Sequence, residues 1–172
     1  MVDEPLDELD REILHLLQID ARKQSDTAIA DETNVTSTTV ANRIADLEDQ
    51  GIIQGYVPDI DYEQAGYPLV VLFTCSAPIA DRSDLADQAM SVLGVVNTRE
   101  TMAGAQNLHV KAVAEATDRI ETITEELDKL GLNIVRSDII SQESTQPWDR
   151  FHLERFNDED EPEETGANAD GA

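Results

Sequence analysis

Cysteine is nearly absent from this chain. Cys75 is the only one among 172 residues, which excludes an intramolecular disulfide, CxxC redox chemistry and a thiolate zinc cage. Long apolar runs are missing too: no stretch approaches the roughly 18 residues that a membrane span needs. The opening MVDEPLDELDRE is acidic and lacks the basic and apolar regions of a signal peptide. The three histidines, His15, His109 and His152, share no metal-ligand spacing. Neither a glycine-rich phosphate loop nor a GxSxG elbow occurs. These absences predict a cytoplasmic protein that needs no membrane, no metal and no cofactor.

Basic residues are the other scarcity, 12 Lys and Arg against 37 Asp and Glu, for a formal net charge of −25. DNA-binding domains are usually basic, because lysine and arginine displace counterions from the phosphates. Acidity spread over every segment also resembles the proteins of salt-in halophiles, where molar salt shrinks screening to about 3 Å. Total charge therefore decides nothing about partners. Its local distribution does.

Residues 6–17 place Leu6, Leu9, Ile13 and Leu16/Leu17 at helical spacing. Asp26 is the expected cap of a second helix, roughly 27–33, with Ile29 and Ala30 inward. Asn34 marks a turn, because asparagine tolerates the left-handed conformation. Thr36 is the expected N-cap of a third helix running to about Gln50, with Val40, Ile44 and Leu47 inward and Gly51 ending it. The run IIQGYVPDID reads as a wing or linker. Beyond it, strands are expected over 69–77, 95–102, 107–114 and 132–142, with helices over 82–93 and from Thr117 or Asp118 to Gly131.

The fold class is thus α+β, an N-terminal winged helix-turn-helix followed by a ferredoxin-like βαββαβ domain. The expected divisions are 1–56 for the winged helix-turn-helix domain, 57–68 for a linker and 69–143 for the ferredoxin-like domain. A C-terminal extension over 144–156 holds Trp148, Phe151 and Phe156. A disordered acidic tail over 157–172 has no apolar residue larger than alanine. One sheet face should stay uncovered by helices, which favours dimerisation.

Residues 33–45, TNVTSTTVANRIA, contain no acid at all. With Val40, Ile44 and Leu47 inward, Thr38 and Asn42 lie outward, flanked by Ser37, Thr39 and Arg43. Their hydroxyl and amide groups can bond to phosphates or base edges without repelling a duplex, and Arg43 offers a charge-assisted contact. Arg22 and Lys23, before the second helix, form an adjacent basic pair suited to a phosphate. The predicted DNA-binding set is Arg22, Lys23, Thr36, Ser37, Thr38, Thr39, Asn42 and Arg43, and the partner is double-stranded DNA. A packing hairpin would need no such gap in acidity.

A resemblance follows from particular residues. Leu6, Asp7, Asp10, Ile13, Leu14, Leu17, Asp20, Ala21 and Arg22 are followed by Thr39, Val40, Arg43, Ile44, Leu47, Glu48, Gly51, Ile52, Ile53, Gly55 and Tyr56, then by Gly66, Tyr67 and Pro68. This order resembles the Lrp/AsnC (feast/famine) transcriptional regulators, and the acidity looks haloarchaeal. The resemblance covers residues 6 to about 143. It implies a homodimer or higher oligomer whose second domain senses an amino acid or other small molecule. Two positions depart from it. Asn42 stands where the family often has a base, and the family's effector loop, near Gly-Asp-Tyr-Asp, reads here Gly104-Ala105-Gln106-Asn107. The candidate effector residues are Arg99, Gly104, Gln106, Asn107 and His109. Siroheme decarboxylases resemble the same architecture and supply the enzyme alternative, for which Arg99, His109 and Lys111 are the available cationic groups.

Overall fold

The computed structural model describes residues 6–102 and 104–148, and the chain divides into two compact units. Phe151, Phe156 and the tail over 157–172 lie outside the described residues. The first unit holds α1 (Glu8–Asp20), α2 (Asp26–Thr33) and α3 (Ser37–Asp49). Ile13, Leu16, Ile29, Ala30, Val40 and Leu47 form its core, with Ile44 and Val35 partly buried against it.

Each helix end has a local cause. Asp7 and Asp10 make a reciprocal capping box at the start of α1. The cap of α2 is Ser25, whose hydroxyl accepts the Ala28 N–H at 3.2 Å. Asp26, expected there, is instead the first helical residue, where its charge suits the positive end of the helix dipole. Asn34 ends α2 in the left-handed region at φ 55°, as its sequence position predicts. Thr36 caps α3 as expected. Gly51, at φ 70°, lets its own N–H and that of Ile52 turn back onto the carbonyls of Glu48 and Leu47 at 2.9 Å.

Residues 52–61, read as a wing or linker, form no strand and pair with none among the described residues. Gly55, at φ 153°, lies outside the strand region, and Pro58 has no N–H to give. Tyr56 instead turns its hydroxyl to Glu48 at 2.9 Å.

The second unit, Pro58–Ser144, contains β1 (Leu69–Ser76), α4 (Arg82–Met90), β2 (Val95–Glu100), β3 (Leu108–Ala114), α5 (Thr117–Lys129) and β4 (Asn133–Ile139). The sheet order is β2-β3-β1-β4 and every pairing is antiparallel, which is the ferredoxin-like arrangement. Val71, Phe73 and Cys75 alternate toward the helices with Leu108, Val110 and Ala112, over Leu85, Ala89, Ile123 and Leu127. Burial pushes the Cys75 thiol up to about 11, so it is packing rather than a nucleophile.

Helix α4 stops at Met90, short of the 82–93 expected, because the Ser91 and Val92 N–H groups close a tighter turn onto Gln88 and Ala89. Past its end Val92 packs partly buried against the core, while Leu93 is exposed. Gly94, at φ 99°, is required where β2 begins, since a Cβ there would sit 2.8 Å from Ile123 Cδ1.

Candidate nucleic-acid interface and sensor loop

The turn at Asn34 and the cap at Thr36 together aim the N-terminal end of α3 outward. Thr36 Oγ1 accepts the Thr39 N–H at 3.1 Å and lies 2.8 Å from the Thr39 hydroxyl, so these two hydroxyls hold the first turn together. Thr38 and Asn42 are exposed on the face opposite Val40 and Leu47, and Ser37 is exposed at the helix start. No acid occupies the first turn of α3, so its unpaired N–H groups keep their partial positive charge undiminished. Arg22, in the loop before α2, is exposed. Lys23 is also exposed but pairs with Asp20 at 2.8 Å.

Arg43 is placed differently from its sequence reading. Its Nη2 lies 2.7 Å from Asp7 Oδ2, and its Nη1 donates to both oxygens of Asp10 at 3.1 and 3.3 Å. The arginine expected to reach the duplex is therefore turned back, clamping α3 to the capping box of α1. Burial alone would lower the Arg43 value, but Asp10 and Asp7 outweigh it and raise it. Asp7 shows the converse: burial would raise it, yet the Asp10 N–H and Arg43 hold it below its ordinary 3.8. The capping box is a local i, i+3 pattern visible in the sequence. Its pairing with Arg43, 33 residues away, is not.

In the second unit the candidate effector residues separate into two groups. Asn107 is buried and fully engaged: its Oδ1 accepts the Ala77 N–H and its Nδ2 donates to the Ala77 carbonyl, both at 2.9 Å. Its backbone N–H also donates to Cys75 O. It welds the end of β1 to the start of β3 and offers nothing to a ligand. Gly104 and Gln106 lie in the exposed turn between β2 and β3. Arg99 and His109 are opposite one another on adjacent strands, on the face away from the helices.

A residue missed in the sequence supports this turn. Arg82, at the start of α4, binds Glu100 through Nε at 2.7 Å and the Thr101 carbonyl through Nη1 at 2.8 Å. Arg82 and Ser83 hold the Glu100 carboxyl below the ordinary range. Among the described residues no group of three or more His, Cys, Asp or Glu could hold a metal, and no helix is long and apolar enough to cross a membrane.

The order of these elements, an asparagine-ended α2 followed by a threonine-capped α3 whose first turn carries no acid, has a counterpart among known proteins. Residues 6–48 match the AsnC-type helix-turn-helix domain. An HTH-type transcriptional regulator of Pyrococcus furiosus is 44% identical over 72 residues, 42% of this chain and 48% of its own length. The chain thus spans about half the length of such relatives. The Mycobacterium tuberculosis regulator AldR is 28% identical over 70% of this chain and 68% of its own. The crystal structure of AldR superposes with a TM-score of 0.68 at 25% identity, covering 83% of this chain and 99% of that one. A feast or famine regulatory protein of M. tuberculosis complexed with L-methionine shares the fold, with a TM-score of 0.72 at 20% identity over 83% and 96% of the two chains.

Proposed function

We propose that this protein is a sequence-specific DNA-binding transcriptional regulator of the Lrp/AsnC kind. The observation that carries this reading is the acid-free, exposed N-terminal half of α3, bearing Ser37, Thr38 and Asn42, in a chain of net charge −25. The match of residues 6–48 to an AsnC-type domain supports it. In this reading α3 enters the major groove, Thr38 and Asn42 meet base edges, and Arg22, Lys23 and the α3 N-terminus meet phosphates. Arg43 acts indirectly, by fixing the angle of α3. Two copies bind half-sites about one helical turn apart, or a multiple of it, and the second unit couples a small molecule to their geometry. The acidity suits a cytoplasm of molar salt.

A gel-shift on the upstream region of the protein's own gene, in molar KCl, tests the proposal. Asn42→Ala and Thr38→Val should each weaken specific binding about tenfold while leaving the melting temperature unchanged. If both variants bind as the parent does, α3 is not the reading helix.

A further inference from the structure

After its last strand the chain leaves the second unit. Residues up to Ser144 belong to that unit, and from Thr145 the chain belongs with the three helices of the first. Trp148 marks the return: its backbone N–H donates to Gln18 Oε1 at 3.2 Å. The Gln18 amide is oriented for this, since its Nε2 donates to the Leu14 carbonyl, one turn back on α1, at 3.1 Å.

Trp148 lies on the rim of a groove of about 350 Å³ within the first unit. One wall is Leu14 and Leu17 of α1; the other is Ile52, Ile53 and Tyr56, from the segment after α3. The four aliphatic side chains are only partly buried against the core, and Tyr56 and Trp148 are each about half exposed. No charged side chain lines the groove. Neither the charged ends of an amino acid nor a phosphate would find a partner there, so the surface suits an apolar occupant.

The sequence supplies one. The chain has three Phe and one Trp, and all but Phe73 fall within residues 148–156, as Trp148, Phe151 and Phe156. Phe73 is in the core of the second unit. Aromatic rings bury about 150–250 Å² each when packed, so a cluster of them calls for a surface to cover. The same stretch is balanced in charge, Asp149 and Glu154 against Arg150 and Arg155, in a chain of net charge −25. Phe151 is three residues past Trp148, within about 11 Å of chain, so it reaches the groove without any association of copies. A second copy would compete with a tethered segment whose effective concentration is on the order of millimolar.

We propose that residues 149–156 of this chain lie in this groove, with Phe151 seated beside Trp148 against Leu14, Leu17, Ile52 and Ile53. The C-terminal extension is then a strap that holds the segment after α3 against α1. That segment pairs with no strand among the described residues. Its ties run to α3: the Ile52 and Ile53 N–H groups donate to the Leu47 carbonyl, and the Tyr56 hydroxyl donates to Glu48. What seats in the groove therefore braces α3 as well as α1. This holds whether or not α3 reads DNA, because it concerns only how the chain covers its own surface.

Trp148 is the single tryptophan, so its fluorescence in the full chain reports on the groove alone. Phe151→Ala should shift its emission to the red and raise its quenching by acrylamide. The same variant should speed amide exchange at Ile52 and Ile53 about tenfold while the melting temperature stays near that of the parent. Phe151→Leu, still apolar, should keep most of the parent emission. Leu93→Ser, at an exposed apolar position of the second unit, should change neither emission nor exchange. Unchanged emission, quenching and exchange in Phe151→Ala would overturn the strap. Co-refolding Phe151→Ala with an excess of Trp148→Phe chains leaves an intact Phe151 only on the partner copies. Recovery of the parent emission in that mixture would assign the groove to a second copy and overturn the strap as well; persistence of the red shift supports it.

Discussion

Arg43 shows how one side chain can be needed for a surface without being on it. Its guanidinium joins α3 to Asp7 and the nearly buried Asp10. Replacing it with methionine leaves Asp10 without its cation, which should cost roughly 1–2 kcal/mol in urea unfolding, given its partial exposure. DNA affinity should fall with it, and should recover where added salt or ligand restores the folded population. Asn42→Ala should instead lower affinity with no change in stability, so the two variants separate holding from reading. The clamp also has a pH signature. Asp7 sits below its ordinary 3.8 in the folded chain, so its contribution is present above that value and is lost as pH falls through the folded value. Melting temperature should decline less steeply below pH 4 in Asp7→Asn than in the parent. Asn107 is a second such residue. Asn107→Ala leaves the Ala77 N–H and carbonyl without partners in a buried site and should cost roughly 2–3 kcal/mol.

Among the elements, α3 depends most on local chemistry. Thr36 satisfies the Thr39 N–H, and Thr36→Ala should cost about 1 kcal/mol by thermal unfolding. Asn34 holds a left-handed conformation, so Asn34→Gly should be neutral or slightly stabilising and Asn34→Val destabilising by about 1–2 kcal/mol. An opposite order would mean that the Asn34 side chain, not its backbone, makes the turn. The β2–β3 turn is held from outside, by Arg82 on Glu100 and the Thr101 carbonyl. Arg82→Met should loosen it, read as faster amide exchange at Thr101 and Gln106 with little change at Val110, deep in the sheet.

For the whole molecule, net charge governs how binding responds to salt. A basic protein releases counterions on meeting DNA, so its affinity falls steeply as salt rises. A chain of net charge −25 takes up cations instead. The slope of affinity against salt should therefore be shallower than that of a basic regulator of similar size, measured by fluorescence anisotropy across a molar KCl range. An ordinary steep slope would contradict the idea. Val57 is almost fully exposed and no helix or strand covers residues 54–68, so limited proteolysis should cut there first.

Much of this was legible without coordinates, and the reason is range. Helix stripes, the Asn34 turn, the Thr36 cap and the alternation of Val71, Phe73 and Cys75 depend on residues within a few positions of each other, and all are where sequence periodicity places them. The acid-free N-terminal half of α3 was equally visible, because outward positions follow once the inward stripe is known. Failures came where distant parts meet. Ser25 displaced Asp26 as a cap by one residue, a local exception in which its hydroxyl takes the Ala28 N–H. Arg43 reached back 33 positions to Asp10, and Asn107 was spent on Ala77. Periodicity determined which faces are apolar, because that is a property of one element. Which polar groups are free to bind was decided by the tertiary structure, because a charge can be taken by any partner that folding brings within a few ångströms.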